Sequence, residues 1–156
     1  MISDKIYEID KLDRDILGIL MKDAKIPYTD IAKRLIVSAG TIHVRMKRME
    51  RLGIVKGATL ILDATKIGYD LTAFVGIYLI KGSVYKEVIK EVDNIPEIVE
   101  AHYTTGEYSI FAKIICKNTD HLREVINEKL QPVNGVSRTE TIISLGESIK
   151  KQLPIL

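Results

Sequence analysis

The chain has 156 residues, enough for one domain or for two small ones. Its apolar share of 46% and charged share of 28% are ordinary for globular proteins, which excludes the disordered and fibrous classes. The net charge of +2 is unevenly distributed, because residues 1–62 carry 12 basic against 8 acidic residues (+4) and residues 63–156 carry 11 against 13 (−2). The two halves therefore favour different partners.

Membrane, secreted and disulfide-bonded classes are also disfavoured. The longest uncharged apolar stretch, residues 71–80, has 10 residues, about half the length of a membrane span. The first ten residues contain acids where a signal peptide needs an apolar core. A single cysteine, Cys116, excludes an intramolecular disulfide and a cysteine-rich zinc site. We expect a soluble, cytoplasmic protein.

The N-terminal part of the chain predicts three helices. Apolar residues recur on one helical face between positions 9 and 23, with the helix entry at Asp10 or Lys11. Pro27 then breaks the helix, and Thr29 is expected to cap a short second helix. Ser38 is the expected cap of a third helix over about residues 39–52. The short turn between the last two helices makes this a helix-turn-helix unit.

The third predicted helix carries two parallel stripes inside a basic region. The stripe expected to be buried is Ile42, Met46 and Met49, and its polar neighbour is Thr41, Arg45 and Arg48. Residues 33–56 hold seven basic residues and one acidic residue, a local charge of +6 in 24 residues. This combination is typical of a DNA-binding surface. The alternative is a three-helix scaffold with a solvated basic face.

DNA contacts are assigned by side-chain chemistry. Arg45 is expected to read guanine or bind phosphate, and Ser38 and Thr41 are expected to reach phosphates or base edges. Longer cations around them suit phosphate contacts. The full predicted set is Lys33, Arg34, Ser38, Thr41, His43, Arg45, Lys47 and Arg48.

The hydrophobic period changes after Gly53. Residues 54–57 and 58–62 predict two short strands that form a wing, and residues 63–70 predict a linker. Further strands are predicted at residues 71–81, 98–104, 107–116 and 137–145. One helix is predicted at residues 83–92, with Ser83 as its cap, and a second helix is predicted to begin at its cap Thr119. The order βαββαβ is the ferredoxin-like arrangement. The predicted class is α+β, with a winged helix-turn-helix domain over residues 1–62 and a ferredoxin-like domain over residues 71–156.

One face of this predicted sheet needs cover from outside the domain. Two helices cover only one face of a four-stranded sheet, yet residues 71–81 are apolar at nearly every position. The strand over 107–116 has Tyr108, Ile110, Ala112 and Ile114 on one face and Phe111 and Ile115 on the other. A small domain rarely leaves so much apolar surface in water, so we expect at least a homodimer.

The segment AHYTTGEYSIF, residues 101–111, concentrates hydroxyl groups at a predicted hairpin. Hairpin amides can hold a carboxylate while carbonyls and hydroxyls take an ammonium group, so a small zwitterion suits this site. The candidate residues from this chemistry are Thr104, Thr105, Tyr108 and Ser109, together with Thr139 and Thr141 on one face of the last predicted strand. The alternative is an ordinary turn between threonine-rich strands.

Enzyme and metal signatures are nearly absent. The sequence has no P-loop, GxGxxG, HExxH or GxSxG motif, and its three histidines lack a second ligand at metal spacing. We therefore expect no catalytic site, no metal and no cofactor. Cys116, which ends an apolar strand, is expected to be a small buried residue.

Two parts of the sequence resemble the Lrp/AsnC family of transcription regulators. LDRDILGIL, YTDIAKRL and VSAGTIHVRMKRMERLGIVKGATLILDATKIGYD are similar to its DNA-binding half, and YTTGEYSIFAKIIC and RTETIISL to its effector-sensing half. The resemblance covers about residues 9–145. SAGTIHVRM, YTTGEYSIF and TETIISL are most similar to an asparagine-responsive member. The resemblance implies a DNA-binding regulator whose dimers pair through their sheets, often form octamers and bind amino acids between dimers.

The resemblance also implies that the hairpin lines the effector cleft. The residues it assigns to the cleft are Tyr103, Thr104, Thr105, Gly106, Tyr108 and Ser109, with Thr139 and Thr141 as further candidates. Many leucine-responsive members have Asp where Ser109 stands, which favours asparagine or a similar polar amino acid here. Two residues depart from the family pattern. Ile36 occupies a turn position that is usually Gly, so we expect a shifted turn or a longer second helix, because a positive φ strains a β-branched residue. Ala39 replaces a common proline at the first helical position.

Two alternative functions fit parts of the sequence. Some proteins that resemble this family decarboxylate the tetrapyrrole sirohaem, but the effector half offers few His and Arg groups for such a pocket. The second alternative is an architectural DNA-compacting protein, which would bind DNA without sequence preference and would respond to no amino acid.

Overall fold

The computed structural model describes residues 7–155 and divides them into two compact units. One unit holds residues 7–61 together with 150–155, and the other holds residues 62–149. The described part of the C-terminal segment therefore packs with the first unit, whereas the sequence placed it in the second domain. Within the described residues, no helix is long and apolar enough to cross a membrane.

The first unit is built from three helices, namely α1 (Lys11–Leu20), α2 (Tyr28–Leu35) and α3 (Ala39–Arg51). Their apolar faces form one core, in which Ile16, Ile31, Ile42 and Met49 are fully buried. The predicted buried stripe of α3 is confirmed, since all three of its residues belong to this core.

Side-chain caps fix where α1 and α3 begin. The Asp13 N–H donates to the Asp10 carboxylate at 2.9 Å and the Asp10 N–H donates to the Asp13 carboxylate at 3.3 Å, which closes a capping box. The Thr41 N–H donates to Ser38 Oγ at 3.0 Å, so the predicted cap of α3 is confirmed.

The predicted cap of α2 is wrong. Pro27, with φ −62° and ψ 142°, supplies the extended residue before the helix, and Tyr28 is already helical. Thr29 therefore lies inside the first turn. No side chain caps α2 at this end.

The turn between α2 and α3 keeps a left-handed residue although that residue is isoleucine. Ile36 has φ 56° and ψ 48°, and its N–H donates to the Ala32 carbonyl. The expected shifted turn or longer second helix is therefore wrong. The Ile36 side chain is 92% exposed, so its own packing does not offset the backbone strain of about 1–2 kcal/mol.

Residues 54–62 contain no strand, so the predicted two-stranded wing is wrong as a secondary-structure assignment. Ile54 and Val55 pack partly against the helical core, while Leu60 and Ile61 are exposed. A strand needs hydrogen bonds to a neighbouring strand, and within residues 7–155 none pairs with this segment. In the predicted linker, residues 65–67 form one turn of 3₁₀-helix.

The C-terminal segment contributes to the first unit. Ile155 packs against the helical core. Residues 151–155 line a groove with parts of α1 and with Leu35 of α2. Both ends of the described chain therefore belong to one unit.

The second unit is a four-stranded antiparallel sheet with helices on one face. Its elements are β1 (Leu71–Leu79), α4 (Tyr85–Val92), β2 (Ile98–Tyr103), β3 (Ile110–Cys116), α5 (Thr119–Glu124), which continues as a π-helix over Val125–Leu130, and β4 (Val136–Ile143). The strand order is β2-β3-β1-β4. This arrangement confirms the predicted βαββαβ order and ferredoxin-like class.

The helix caps of this unit differ from the prediction. Ser83 lies in a 3₁₀ turn that precedes α4, and α4 has no side-chain cap. Asn118 caps α5 instead of Thr119, since its side chain accepts the His121 N–H at 2.9 Å. Asn118 lies one residue earlier and has the extended backbone that a capping residue needs.

The two faces of the sheet differ in cover. Residues 73, 75 and 77 of β1 and 110, 112, 114 and 116 of β3 are buried under the helices. On the opposite face, which we call the open face, lie Phe74, Gly76 and Tyr78 of β1 and Phe111 of β3. Tyr108 also contacts this face, so its predicted place beside Ile110 is wrong, because β3 begins only at Ile110.

Candidate functional sites

Helix α3 presents one exposed stripe to solvent. Gly40, Val44, Lys47 and Arg51 have the spacing i, i+4, i+7 and i+11, and all four are exposed. A helix turns about 100° per residue, which places this stripe opposite the buried face of α3. Val44 lies near its middle and is 66% exposed. The stripe is therefore the surface of α3 that a groove of DNA can reach.

The two arginines predicted to lead DNA contact are instead paired with α1. The Arg45 guanidinium contacts the carboxylates of Asp10 and Asp13, the latter at 3.2 Å, and Arg48 contacts Asp13 at 3.2 Å. Asp13 is fully buried. A buried carboxylate needs compensating charge, so these two arginines hold α3 against the start of α1.

This pairing shifts the pKa values of Asp10 and Arg45. The pKa of Asp10 is lowered, first by the hydrogen bond from the Asp13 backbone and then by the Arg45 side chain. The pKa of Arg45 is raised, chiefly by its hydrogen bond to Asp10. Two of the seven basic residues in the 33–56 patch thus have their charge neutralised within the unit.

The remaining predicted DNA contacts lie at the exposed surface or at the start of α3. Lys33 is exposed, and its Nζ lies 3.4 Å from Oδ1 of Asp30 in the same helix. Arg34 and Lys47 are exposed and form no ion pair with any described residue. His43 is also exposed, on one side of the α3 stripe. The three basic residues Lys33, Arg34 and Lys47 remain available to phosphates.

Ser38 and Thr41 form a polar pair at the start of α3. Their hydroxyl oxygens are 2.9 Å apart, and Ser38 also accepts the Thr41 N–H. Ser38 is exposed and Thr41 is half-buried. Each hydroxyl retains hydrogen-bonding capacity for a phosphate beside the helix.

The candidate effector segment is a loop over residues 104–109, wider than the predicted hairpin. The Thr104 N–H donates to the Ser109 carbonyl at 3.1 Å, and Thr104 Oγ1 donates to the Tyr108 carbonyl at 2.7 Å. The Ser109 N–H donates to the Ile77 carbonyl of β1 at 3.0 Å. These three bonds close the loop and attach it to the sheet.

The middle of this loop has unused backbone donors. No hydrogen bond within the described part of the chain uses the N–H groups of Thr105, Gly106, Glu107 or Tyr108. Gly106 has φ 117°, a conformation that a residue with a side chain rarely adopts. Four successive free N–H groups make this loop suited to a carboxylate.

Of the two predicted effector residues on β4, Thr139 lies nearer the loop anchor. Thr139 pairs with Ile77 across β1 and β4, and Ile77 accepts the Ser109 N–H. Thr141 lies two residues further along β4. Tyr103 lies at the end of β2, where its ring centroid is 4.1 Å from that of Tyr85 in α4. The structure therefore gathers the loop and Thr139 at one end of β1 and places Thr141 further off.

An aromatic cluster on the open face was not predicted from the sequence. The Tyr108 ring lies over Gly76, with its centroid 5.2 Å from that of Tyr78 and 5.9 Å from that of Phe111. A Cβ at position 76 would lie 2.3 Å from the Tyr108 ring, so only glycine fits. A glycine inside an apolar strand signals such a close approach, and that signal is present in the sequence.

Charged residues of β4 extend this cluster. The Arg138 guanidinium lies 3.7 Å from the centre of the Tyr78 ring, and the Tyr78 hydroxyl donates to Glu140 at 3.3 Å. Burial raises the pKa of Tyr78 and of Tyr108, and the Glu140 charge raises both further. Both tyrosines are therefore neutral hydrogen-bonding groups at physiological pH.

A separate cluster of ionisable residues joins the start of β2 to the helices. The Glu97 carboxylate accepts Lys129 Nζ at 2.7 Å and lies 3.1 Å from His121 Nε2. Burial acts to raise the pKa of Glu97, but the hydrogen bonds from Lys129, the backbone and His121 lower it overall. Cys116 is buried as predicted, and burial raises the pKa of its thiol to about 11. It is therefore a poor nucleophile.

Family models match both units. One, described as winged helix-turn-helix DNA-binding, matches residues 9–56. The other, described as the Lrp/AsnC ligand binding domain, matches residues 72–154. The boundary between the matched segments falls near the division between the two units.

Similar proteins cover nearly the whole chain. The regulatory protein AsnC of Haemophilus influenzae is 43% identical over 148 residues, which cover 95% of this chain and 99% of that protein. Its counterpart in Escherichia coli K12 is 40% identical, covering 94% and 97%. The solved structure of E. coli AsnC superposes with a TM-score of 0.90 at 39% identity, covering 94% of this chain and 99% of the other. These relatives are named as regulators and not as enzymes, which overturns the tetrapyrrole alternative.

Proposed function

The chain belongs to the Lrp/AsnC family of DNA-binding transcription regulators, and on that premise we propose that asparagine binds its 104–109 loop and alters oligomer assembly or DNA affinity. The row of free N–H groups at residues 105–108 carries this proposal. Those groups receive the effector carboxylate. Because a ligand-binding domain and a DNA-binding domain share one chain, binding at one is transmitted to the other through the assembly.

The polar character of the loop supports asparagine over an aliphatic amino acid. The Ser109 hydroxyl makes no hydrogen bond within residues 7–155. Thr139 lies at the same end of β1, where its hydroxyl accepts Gln131 Nε2 at 3.3 Å. A side-chain amide has both donors and an acceptor, which match hydroxyl groups. An aliphatic side chain would leave the Ser109 hydroxyl unpaired.

The open face supports the proposed homodimer. Phe74 and Phe111 stack there with centroids 5.8 Å apart, beside the Tyr108 cluster. Apolar residues of this size in a monomeric sheet would remain in contact with water. A second copy of the same face would cover them, and dimers would then associate further into the proposed octamer with effector clefts between them.

Binding, assembly and DNA affinity can be tested on the full-length chain. We expect asparagine, unlike leucine, to raise the melting temperature, because a ligand that binds only the folded protein stabilises it. Light scattering after size exclusion would follow the oligomer mass with and without asparagine. Fluorescence anisotropy on a selected duplex would follow DNA affinity. If asparagine changes none of the three, it is not the effector, and a response to no amino acid would favour the architectural alternative.

A matched pair of serine variants locates the site. Ser109→Ala should weaken asparagine binding about tenfold while leaving effector-free DNA affinity unchanged, because one hydrogen bond to a polar ligand is lost. Ser83→Ala removes a hydroxyl from the 3₁₀ turn before α4 and should change neither quantity. Equal effects of the two variants on asparagine affinity would contradict the assignment of the loop.

A further inference from the structure

We infer that Val44 is a base-reading residue of α3 and that it recognises the 5-methyl group of a thymine in the major groove. The inference rests on which α3 side chains have no partner inside the protein. It goes beyond DNA binding as such, because it assigns sequence preference to one apolar side chain.

Val44 is an unpartnered apolar residue on a polar helix face. It is 66% exposed in the sixth position of α3, and it is absent from the packed cluster of this unit. The thymine methyl is the apolar group that base pairs display in the major groove. Contact between the two would remove both from water.

The neighbours of Val44 on the exposed stripe fit a docked groove. One turn earlier, Gly40 has no side chain and lets the nucleic acid approach the helix closely. One and two turns later, Lys47 and Arg51 are exposed cations with no ion pair among the described residues, and these suit phosphates at the groove edges. The helix therefore presents an apolar centre followed by positive charge.

Arg45, the residue that the sequence favoured for base contact, is better assigned as a positioning residue. It lies one residue from Val44, about 100° around the helix, on the flank that faces α1. Its guanidinium is held by Asp10 and by the buried Asp13. To read a base it would have to leave the buried Asp13 carboxylate with a single cationic partner, Arg48.

Thymine-to-uracil substitution tests the inference directly. A preferred duplex is selected from a randomised pool with the full-length protein, and each thymine is then replaced singly by deoxyuridine, which lacks only the methyl group. For the wild-type chain we expect about fourfold weaker binding at one thymine of each half-site, the value of one buried carbon group. Val44→Ala should abolish this thymine-over-uracil preference, and Val44→Thr, which keeps one methyl, should retain part of it.

Val99→Ala is the matched control, because it is the same substitution at an exposed valine of β2 in the other unit. It should leave every thymine-to-uracil ratio unchanged. The inference is wrong if no single thymine is sensitive in the wild-type chain, or if Val44→Ala keeps the preference. It is equally wrong if Val44→Ala weakens all duplexes alike at an unchanged melting temperature, since a methyl contact acts at one base pair only.

Discussion

The two units differ in which side chains have partners inside the unit. In the first unit, charges that looked available to a partner are neutralised internally, as Arg45 and Arg48 are by Asp10 and Asp13. In the second unit, large apolar side chains remain uncovered on the open face of the sheet, around Phe74 and Tyr108. A functional surface is therefore identified by the charged and apolar groups that have no partner inside the unit. Residue type alone does not identify it.

The largest expected change in stability concerns the ion pairs of the first unit and shows whether they hold its helices together. Asp13→Ala should lower the free energy of unfolding by about 3 kcal/mol, because it removes a buried carboxylate and leaves two arginines without it. DNA affinity should fall on every sequence alike, since α3 loses its attachment to α1. Urea denaturation and anisotropy would measure the two effects.

Asp30→Ala is the control for this variant. Asp30 is paired with Lys33 at the surface, and its removal should cost less than about 1 kcal/mol. Equal losses for the two variants would show that burial of Asp13 is unimportant, and the contrast between the units would then fail.

A smaller effect is expected where an aromatic ring closes over the sheet of the second unit. Gly76→Ala should destabilise the chain by about 2 kcal/mol and weaken effector binding, because a Cβ there collides with the Tyr108 ring of the loop. Differential scanning calorimetry and effector titration would detect the two changes. In contrast, Gly18→Ala in α1, where a Cβ meets no atom within 4 Å, should stabilise by about 0.5–1 kcal/mol. Loss of stability in both variants would contradict this contrast.

The smallest expected effect is a gain at the turn of the first unit. Ile36→Gly should stabilise by up to about 1 kcal/mol, since relief of the left-handed strain exceeds the entropy cost of glycine. Thermal melts would measure it, with Ile36→Ala as the control. Alanine keeps a Cβ at the same φ, so a similar gain from alanine would mean that side-chain exposure, and not φ, sets the effect.

Periodic patterns predicted most of the fold. Apolar spacing located α1, α3 and all four strands, because burial of one face depends on local periodicity. The positions of caps and loop ends were less predictable. Asn118 and Thr119 are both capping residues by type, and only the backbone conformation of Asn118 selects between them.

Side-chain chemistry in the sequence identified residues of the candidate sites, but it did not identify the residues that they contact. The hydroxyl-rich loop was recognised, yet its attachment to the Ile77 carbonyl and its contact with Gly76 depend on residues about 30 positions away in the sequence. Likewise the sequence shows that Arg45 is basic, but its partner Asp13 lies 32 residues earlier. Long-range partners of this kind are fixed by packing and have no local signature.

The return of residues 150–155 to the helical unit makes the ferredoxin-like unit an insertion within the DNA-binding unit along the chain. An excised fragment that ends near residue 62 therefore lacks Ile155 and the segment that lines the groove beside α1. Fragments built to study DNA binding in isolation should carry this segment through a short connector. A circular permutant that begins at residue 150 and ends near residue 62 would supply it in one chain.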